Sequence, residues 1–306
     1  MIIEPLKKQL EALSYIGLNY LTLARETTSL SGGGSQRIKL IRHLNNFLSD
    51  LVYIIDEPSV GLHPEDIQRI NDIIQSLKDK GNTVLVVEHD PDVIKTADHI
   101  IDLGPLAGKN GGEITFIGSY NELLSSDTIT GQALNRQHQL KKTPRKAKDM
   151  LQIANISRNN LQNVSTELLK HAMTVVTGVA GSGKNSLITT AFEQNEDAIC
   201  INQKPVHASN RSNLFTYLDI FDEPTTGLHE DDLPILVECF NHLIDEGNTV
   251  ILIEHNLTMM TEADGFIDIG PFAGKHGGQL LYAGEPKGLL DINNSVTAKH
   301  LRRYIE

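Results

Sequence analysis

In TGVAGSGKNSL, glycines stand at 178, 181 and 183 and a lysine at 184. This spacing suits a phosphate group. Glycines let successive backbone N–H groups wrap an anion, and a helix opening at the lysine adds its dipole. Lys184 would reach the terminal phosphates of a nucleotide. The pattern calls next for a Ser or Thr hydroxyl to ligate Mg2+, but the residue there is Asn185, with Ser186 beside it. Metal placement is therefore expected to be weakened, with Asn185 and Asp222 as the candidate ligands. IFDEP supplies Asp222 for a metal and Glu223 to polarise an attacking water. IEHN adds His255, an imidazole within range of a γ-phosphate.

These side chains need strand ends to hold them, and the chain provides such ends twice. VYIIDEPSVGLHPEDI starts at Val52 and LDIFDEPTTGLHEDDL at Leu218, an offset of 166 residues. The same offset relates GNTVLVVEHD to GNTVILIEHN and IIDLGPLAGKNGGEI to FIDIGPFAGKHGGQL. Thus Asp56, Glu57 and His89 repeat Asp222, Glu223 and His255. Each copy reads as a short buried strand, a Gly turn, a helix, a second strand, another helix and a third strand. Such alternation predicts mainly parallel sheets covered by helices, an α/β class in two repeated halves, and the phosphate-loop spacing of the second makes it a P-loop NTPase. Residues 1–135 form the first half, 136–148 a basic linker, and 149–306 the second half. The linker, RQHQLKKTPRKAK, is open to two readings: a solvated connection or a phosphate-contacting arm.

The chain has 306 residues, 40% of them hydrophobic, enough for two cores. A formal charge of −12 gives no general attraction to nucleic acid. Cys200 and Cys239 form no C-x-x-C pair, so no thiolate zinc site is expected and both read as buried thiols. No window is apolar enough for a leader or a membrane span, which predicts a cytoplasmic protein with no membrane role.

With these motifs assembled, the chain resembles the UvrA branch of the ATP-binding cassette ATPases. LSGGGSQRIKL, IDEPSVGLH and VEHD carry the resemblance in the first half. TGVAGSGKNSL, INQKPVHASNRSN, FDEPTTGLH and IEHN carry it in the second, with the two LGP/IGP-x-AG-x-x-GG strings. The resemblance implies ATP with Mg2+ and a role as ATP-driven damage sensor in nucleotide excision repair. DNA and a UvrB-like partner, or self-association, are the implied contacts. It makes Ser31, Gly32 and Gly33 a signature loop and Gln203 the glutamine that couples nucleotide to the rest of the protein. Asn202, Lys204 and His207 depart from the family string around it, and Gly34 replaces the family's usual Glu.

Family members carry a P-loop and a signature in each half, plus zinc modules. Here no P-loop precedes the first signature, and 38 positions separate Lys184 from Asp222, too few for a second signature subdomain. In the family, ATP lies between the P-loop of one half and the signature of the other. One composite site is therefore expected, from Gly178, Gly181, Gly183, Lys184, Asn185, Ser186, Gln203, Asp222, Glu223 and His255, capped by Ser31, Gly32 and Gly33. Asp56, Glu57 and His89 would be left as orphans. Three functions stay open: a slow repair-type ATPase, a nucleotide-binding remnant acting as an interaction module, and a UvrA-like drug-resistance paralog.

Overall fold

The computed structural model describes residues 3–16, 18, 21, 38, 49–106, 110–147, 149–193, 198–201 and 218–306. The signature residues Ser31, Gly32, Gly33 and Gly34, and Gln203 with its neighbours, lie outside them.

The second half is a three-layer α/β unit. It runs β5 (Met150–Ile156), β6 (Val164–Leu169), β7 (Met173–Thr177), α6 (Lys184–Glu193), β8 (Ala198–Ile201) and β9 (Leu218–Asp222). Next come α7 (Leu233–Asp245), β10 (Thr249–Ile253), α8 (Leu257–Thr261), β11 (Gly265–Gly270), β12 (Gln279–Gly284), α9 (Pro286–Leu289) and α10 (Val296–Ile305). Strand order is β12-β11-β7-β10-β9-β8, parallel except for β12. Neighbouring residues of one strand face opposite layers. Val176, Ile251, Ile253, Ile267 and Ile269 pack under α6 and the antiparallel β5–β6 hairpin. Val175, Val250, Leu252 and Phe266 pack against α7, α8, α9 and α10 on the other side. Both faces are covered, so β7, β10 and β11 are buried from end to end.

The first half has the same elements without the middle. It contains α1 (Ile3–Tyr15), β1 (Val52–Asp56), α2 (Pro64–Asp79), β2 (Thr83–Val87), α3 (Pro91–Ile94), β3 (Ile100–Gly104) and β4 (Glu113–Gly118). Two short helices, α4 (Tyr120–Leu124) and α5 (Ile129–Leu134), follow. In the second half β7 joins β10 to β11; in the first half no described strand takes that place. The sheet therefore falls into a parallel β1–β2 pair and an antiparallel β3–β4 pair. One face is packed, by Ile67, Ile70, Ile73 and Leu77 of α2 against Tyr53, Ile55, Val84 and Val86. The other face is open, which corrects the expectation that the strand at Val52–Ile55 is buried. Ile54 is 72% exposed where its repeat mate Ile220 is 1%, and Leu103 is 66% exposed where Ile269 is 0%. The types match; the covering elements do not.

The basic stretch 136–148 is no loose connection. Arg136 pairs with Asp231, Lys141 with the buried Asp264 at 2.7 Å, and Arg145 with Asp264 at 3.5 Å and Asp245 at 3.0 Å. Leu140 packs into the core of the second half. Three of its cations, Arg136, Lys141 and Arg145, are thus matched within the chain, while Lys142 and Lys146 are exposed. Cys239 is exposed on α7, not buried as expected. Among the described residues no helix is long and apolar enough to cross a membrane.

Candidate functional site

Residues 178–183 turn from β7 into α6 with Gly178 at φ 133°, Gly181 at 76° and Gly183 at 116°. A Cβ on Gly178 would meet the Ile269 carbonyl oxygen at 1.9 Å, so the turn requires glycine there. The loop is braced from outside. Asn160 Nδ2 donates to the carbonyls of Gly181 (3.1 Å), Ser182 (2.9 Å) and Gly274 (3.2 Å). Gly274 N donates to Gly181 O and Gly278 N to Ser182 O, both at 3.0 Å. The repeated IGPFAGKHGG string therefore has a physical task, to back the phosphate loop. Spacing did not reveal this, nor the part of Asn160.

Lys184 is buried, with Nζ donating to Gly178 O (2.7 Å) and Val179 O (3.2 Å). Burial lowers its pKa to about 8, against the pull of Glu223 and Asp222. Asp222 ends β9, and burial raises its carboxyl pKa while Lys184 and Asn185 oppose the rise. Asn185 Nδ2 donates to Asp222 Oδ2 at 3.3 Å. Ser186 Oγ accepts from Asn159 Nδ2 at 2.9 Å.

Magnesium takes oxygen ligands in near-octahedral array. Asn185 presents a nitrogen to Asp222 where an oxygen would be needed, and the Ser186 hydroxyl is engaged elsewhere. The residues expected to hold magnesium do not fit it in this arrangement.

Glu223 adopts φ 51° and its repeat mate Glu57 φ 44°, a left-handed conformation that is strained for a side chain of this size. The following strand pins both: Glu223 N donates to Ile253 O at 2.9 Å, and Glu57 N to Val87 O at 2.8 Å. His255 Nε2 lies 4.0 Å from Glu223 Oε1. Between them Glu254 acts as a latch. One of its oxygens accepts from Thr225 N (3.0 Å) and Oγ1 (2.5 Å), the other from His255 N (2.7 Å) and Asn256 N (2.9 Å). Burial raises the Glu254 pKa, and these donors hold it down. Glu88 repeats the latch with Ser59, His89 and Asp90.

The halves meet on an approximate two-fold axis at the loops after the carboxylates. His63 of the first half faces His255 of the second edge to face, at 5.5 Å between ring centres. His229 faces His89 at 5.9 Å, the same pairing reversed. A cavity of about 130 Å³ lies between, with Glu57, His89, Glu223 and His255 on its wall.

The two sides are not equal. A Cβ on Gly61 would stand 2.6 Å from Glu223 Oε2, whereas one on Gly227 would meet nothing within 4 Å. His255 and Glu223 are 7% and 23% exposed, against 41% and 34% for His89 and Glu57. The structure brings Gly178, Gly181, Gly183, Lys184, Asn185, Ser186, Asp222, Glu223 and His255 together. Asp56, Glu57 and His89 gather across the axis with no phosphate loop among the described residues. Gly61 and His63 were missed as site residues. The signal was there, since GLH and EH recur together in both copies.

A phosphate loop on a parallel sheet, a strand-end carboxylate pair and a histidine, met by the second half's twin, define an ATP-binding cassette arrangement of the P-loop NTPase class. Within that class the similarity is to the UvrA type. UvrABC system protein A of Clostridium acetobutylicum is 28% identical over 480 aligned positions, covering 99% of this chain and 51% of that protein. The Aquifex aeolicus protein of the same name is 27% identical, covering 98% and 52%. The crystal structure of UvrA2 from Deinococcus radiodurans superposes with a TM-score of 0.88 at 26% identity, over 99% of this chain and 58% of that one. Archaeal ABCE1, bound with Pelota on a ribosome, shares the fold at TM-score 0.70 and 18% identity, over 92% and 60%. No protein-family model matches the chain. The chain spans about half the length of the curated relatives it matches. Aligned lengths of 480 against 306 residues leave at least 174 positions that the relatives have and this chain lacks within the matched span.

Proposed function

We propose that this chain is the nucleotide-handling unit of a UvrA-type, repair-class ATPase of the cytoplasm, binding ATP at one site and hydrolysing it slowly. The observation that carries the proposal is the convergence of the braced phosphate loop, Glu223 with His255, and Gly61 from the other half. In this reading the loop N–H groups hold the phosphates, and Lys184 exchanges two carbonyl partners for phosphate oxygens. Ser31, Gly32 and Gly33 cap the nucleotide from the first half, and Gln203 relays its presence. Glu223 takes the proton of the attacking water, and His255, aligned by Glu254, stabilises the transferred phosphoryl group. Asp56, Glu57 and His89 serve as scaffold for the interface. The division at residues 1–135, 136–148 and 149–306 belongs to the same proposal.

Similarity to proteins named for the UvrABC system supports the repair class, with DNA and a UvrB-like protein as partners. Pairing of Arg136, Lys141 and Arg145 within the chain reduces what this stretch could offer to DNA phosphates. The family resemblance implies ATP with Mg2+, but no step is assigned to the metal. One observation favours a second reading, a nucleotide-binding remnant with an interaction role: the amide at Asn185. ATP binding and turnover in the parent and in Glu223→Gln separate the two. Expected are near-equal affinities and a turnover lowered about 100-fold in the variant. Equal turnover would remove the ATPase reading; absence of binding would remove both.

A further inference from the structure

The geometry points to ATP binding that is independent of a divalent cation, with the Asn185 amide in the place of the metal beside Asp222. The inference rests on the nucleotide-binding reading of residues 178–186 and concerns this chain's departure from the phosphate-loop pattern.

A hydroxyl after the lysine can do two things at once. Its proton points to the strand-end carboxylate while its lone pairs ligate a cation. An amide divides those tasks between two atoms about 2.3 Å apart, a donor-only nitrogen and an acceptor-only oxygen. Asn185 has its nitrogen toward Asp222, with Nδ2 3.3 Å from Oδ2. That nitrogen has no lone pair to give a cation. Turning the amide over brings Oδ1 against the Asp222 carboxylate, two acceptors with no proton between them, an arrangement that only a cation can offset. A cation ligated by the Asn185 amide must therefore break the existing bond and supply that offset, and its net gain is reduced.

The neighbouring groups do not restore the missing ligand. The Ser186 hydroxyl accepts from Asn159. Asp222 keeps a polar donor without metal, so the end of β9 stays satisfied when no cation is present. Lys184 remains as the cation aimed at the phosphates, buried at the root of the loop beside Gly178 and Val179. Within the loop, phosphate charge is then met by Lys184 and the backbone N–H groups without a metal.

The test is ATP affinity of the full chain, by calorimetry, in excess MgCl2 and in EDTA, for the parent, Asn185→Ser and Asn185→Asp. Parent affinity is expected to be unchanged within about twofold between the two conditions. Asn185→Ser is expected to gain about tenfold or more in MgCl2, because a hydroxyl serves carboxylate and cation together. Asn185→Asp sets two carboxylates side by side and should bind ATP in MgCl2 only. Parent affinity falling tenfold in EDTA, or an Asn185→Ser ratio equal to the parent's, overturns the inference. Absence of ATP binding by the parent in both conditions instead removes the proposed function on which it rests.

Discussion

At the scale of single residues, much of the second-half site is held in conformations that cost free energy. Glu223 is left-handed at φ 51°, and a Cβ on Gly61, itself at φ 67°, would stand 2.6 Å from its carboxylate. His63 is fully buried, its Nδ1 accepting from Glu65 N and its Nε2 set 3.2 Å from Thr297 Oγ1. Burial, then the charges of His300, Lys184 and Arg69, push its pKa well below the ordinary histidine value. The folded chain thus refuses a proton that the unfolded chain accepts below about pH 6.5. Stability is expected to decline as pH falls through that range. Thermal unfolding of the parent and His63→Asn between pH 8 and pH 5.5 checks this, with the smaller decline in the variant. Equal declines would assign the effect to other groups.

At the scale of elements, the phosphate loop is held by a loop and a string distant in sequence. Asn160 precedes β6, and Gly274 and Gly278 lie between β11 and β12, yet Asn160 bonds both the Gly181 and Ser182 carbonyls, Gly274 N the first and Gly278 N the second. Asn160→Ala removes one donor from three carbonyls, each of which is then less well satisfied. A loss of about 1–2 kcal/mol at the loop is expected, read as an ATP affinity lowered about tenfold with little change in Tm. An unchanged affinity would show that the Gly274 and Gly278 bonds suffice.

The loop itself was legible in the sequence, because its glycines and lysine act through local spacing. Asp222, Glu223 and His255 were legible for the same reason, each closing a strand end. Asn160, Gly61 and His63 were not, because they reach the site through tertiary contacts from other elements. The exposed strand faces were misjudged on the same ground: burial of β1 and β2 depends on what covers them, and apolar residue types do not specify the cover.

At the scale of the whole molecule, the repeat places equal residue types in unequal surroundings. Ile220 is 1% exposed and Ile54 72%. Ile220→Ala is expected to destabilise by about 2–5 kcal/mol, whereas Ile54→Ala should cost less than about 0.5 kcal/mol. Chemical denaturation of the two variants checks this, and a large cost for Ile54→Ala would mean its face is covered in solution. The fold class and the duplication were readable from the 166-residue offset; the division of the first sheet was not, since it turns on whether a strand joins β2 to β3, and no described strand does.

The joining role of β7 also bears on how the chain folds. The first half's ladders pair Val52 with Thr83 and Ile100 with Gly118, contacts 31 and 18 residues apart. The strand β7 pairs Met173 with Val250 and Thr174 with Gly265, across 77 and 91 residues. Closing such long intervals costs more chain entropy before any contact repays it. On this ground the local ladders of the first half are expected to form before those of β7, so that the braced phosphate loop at the end of β7 appears late.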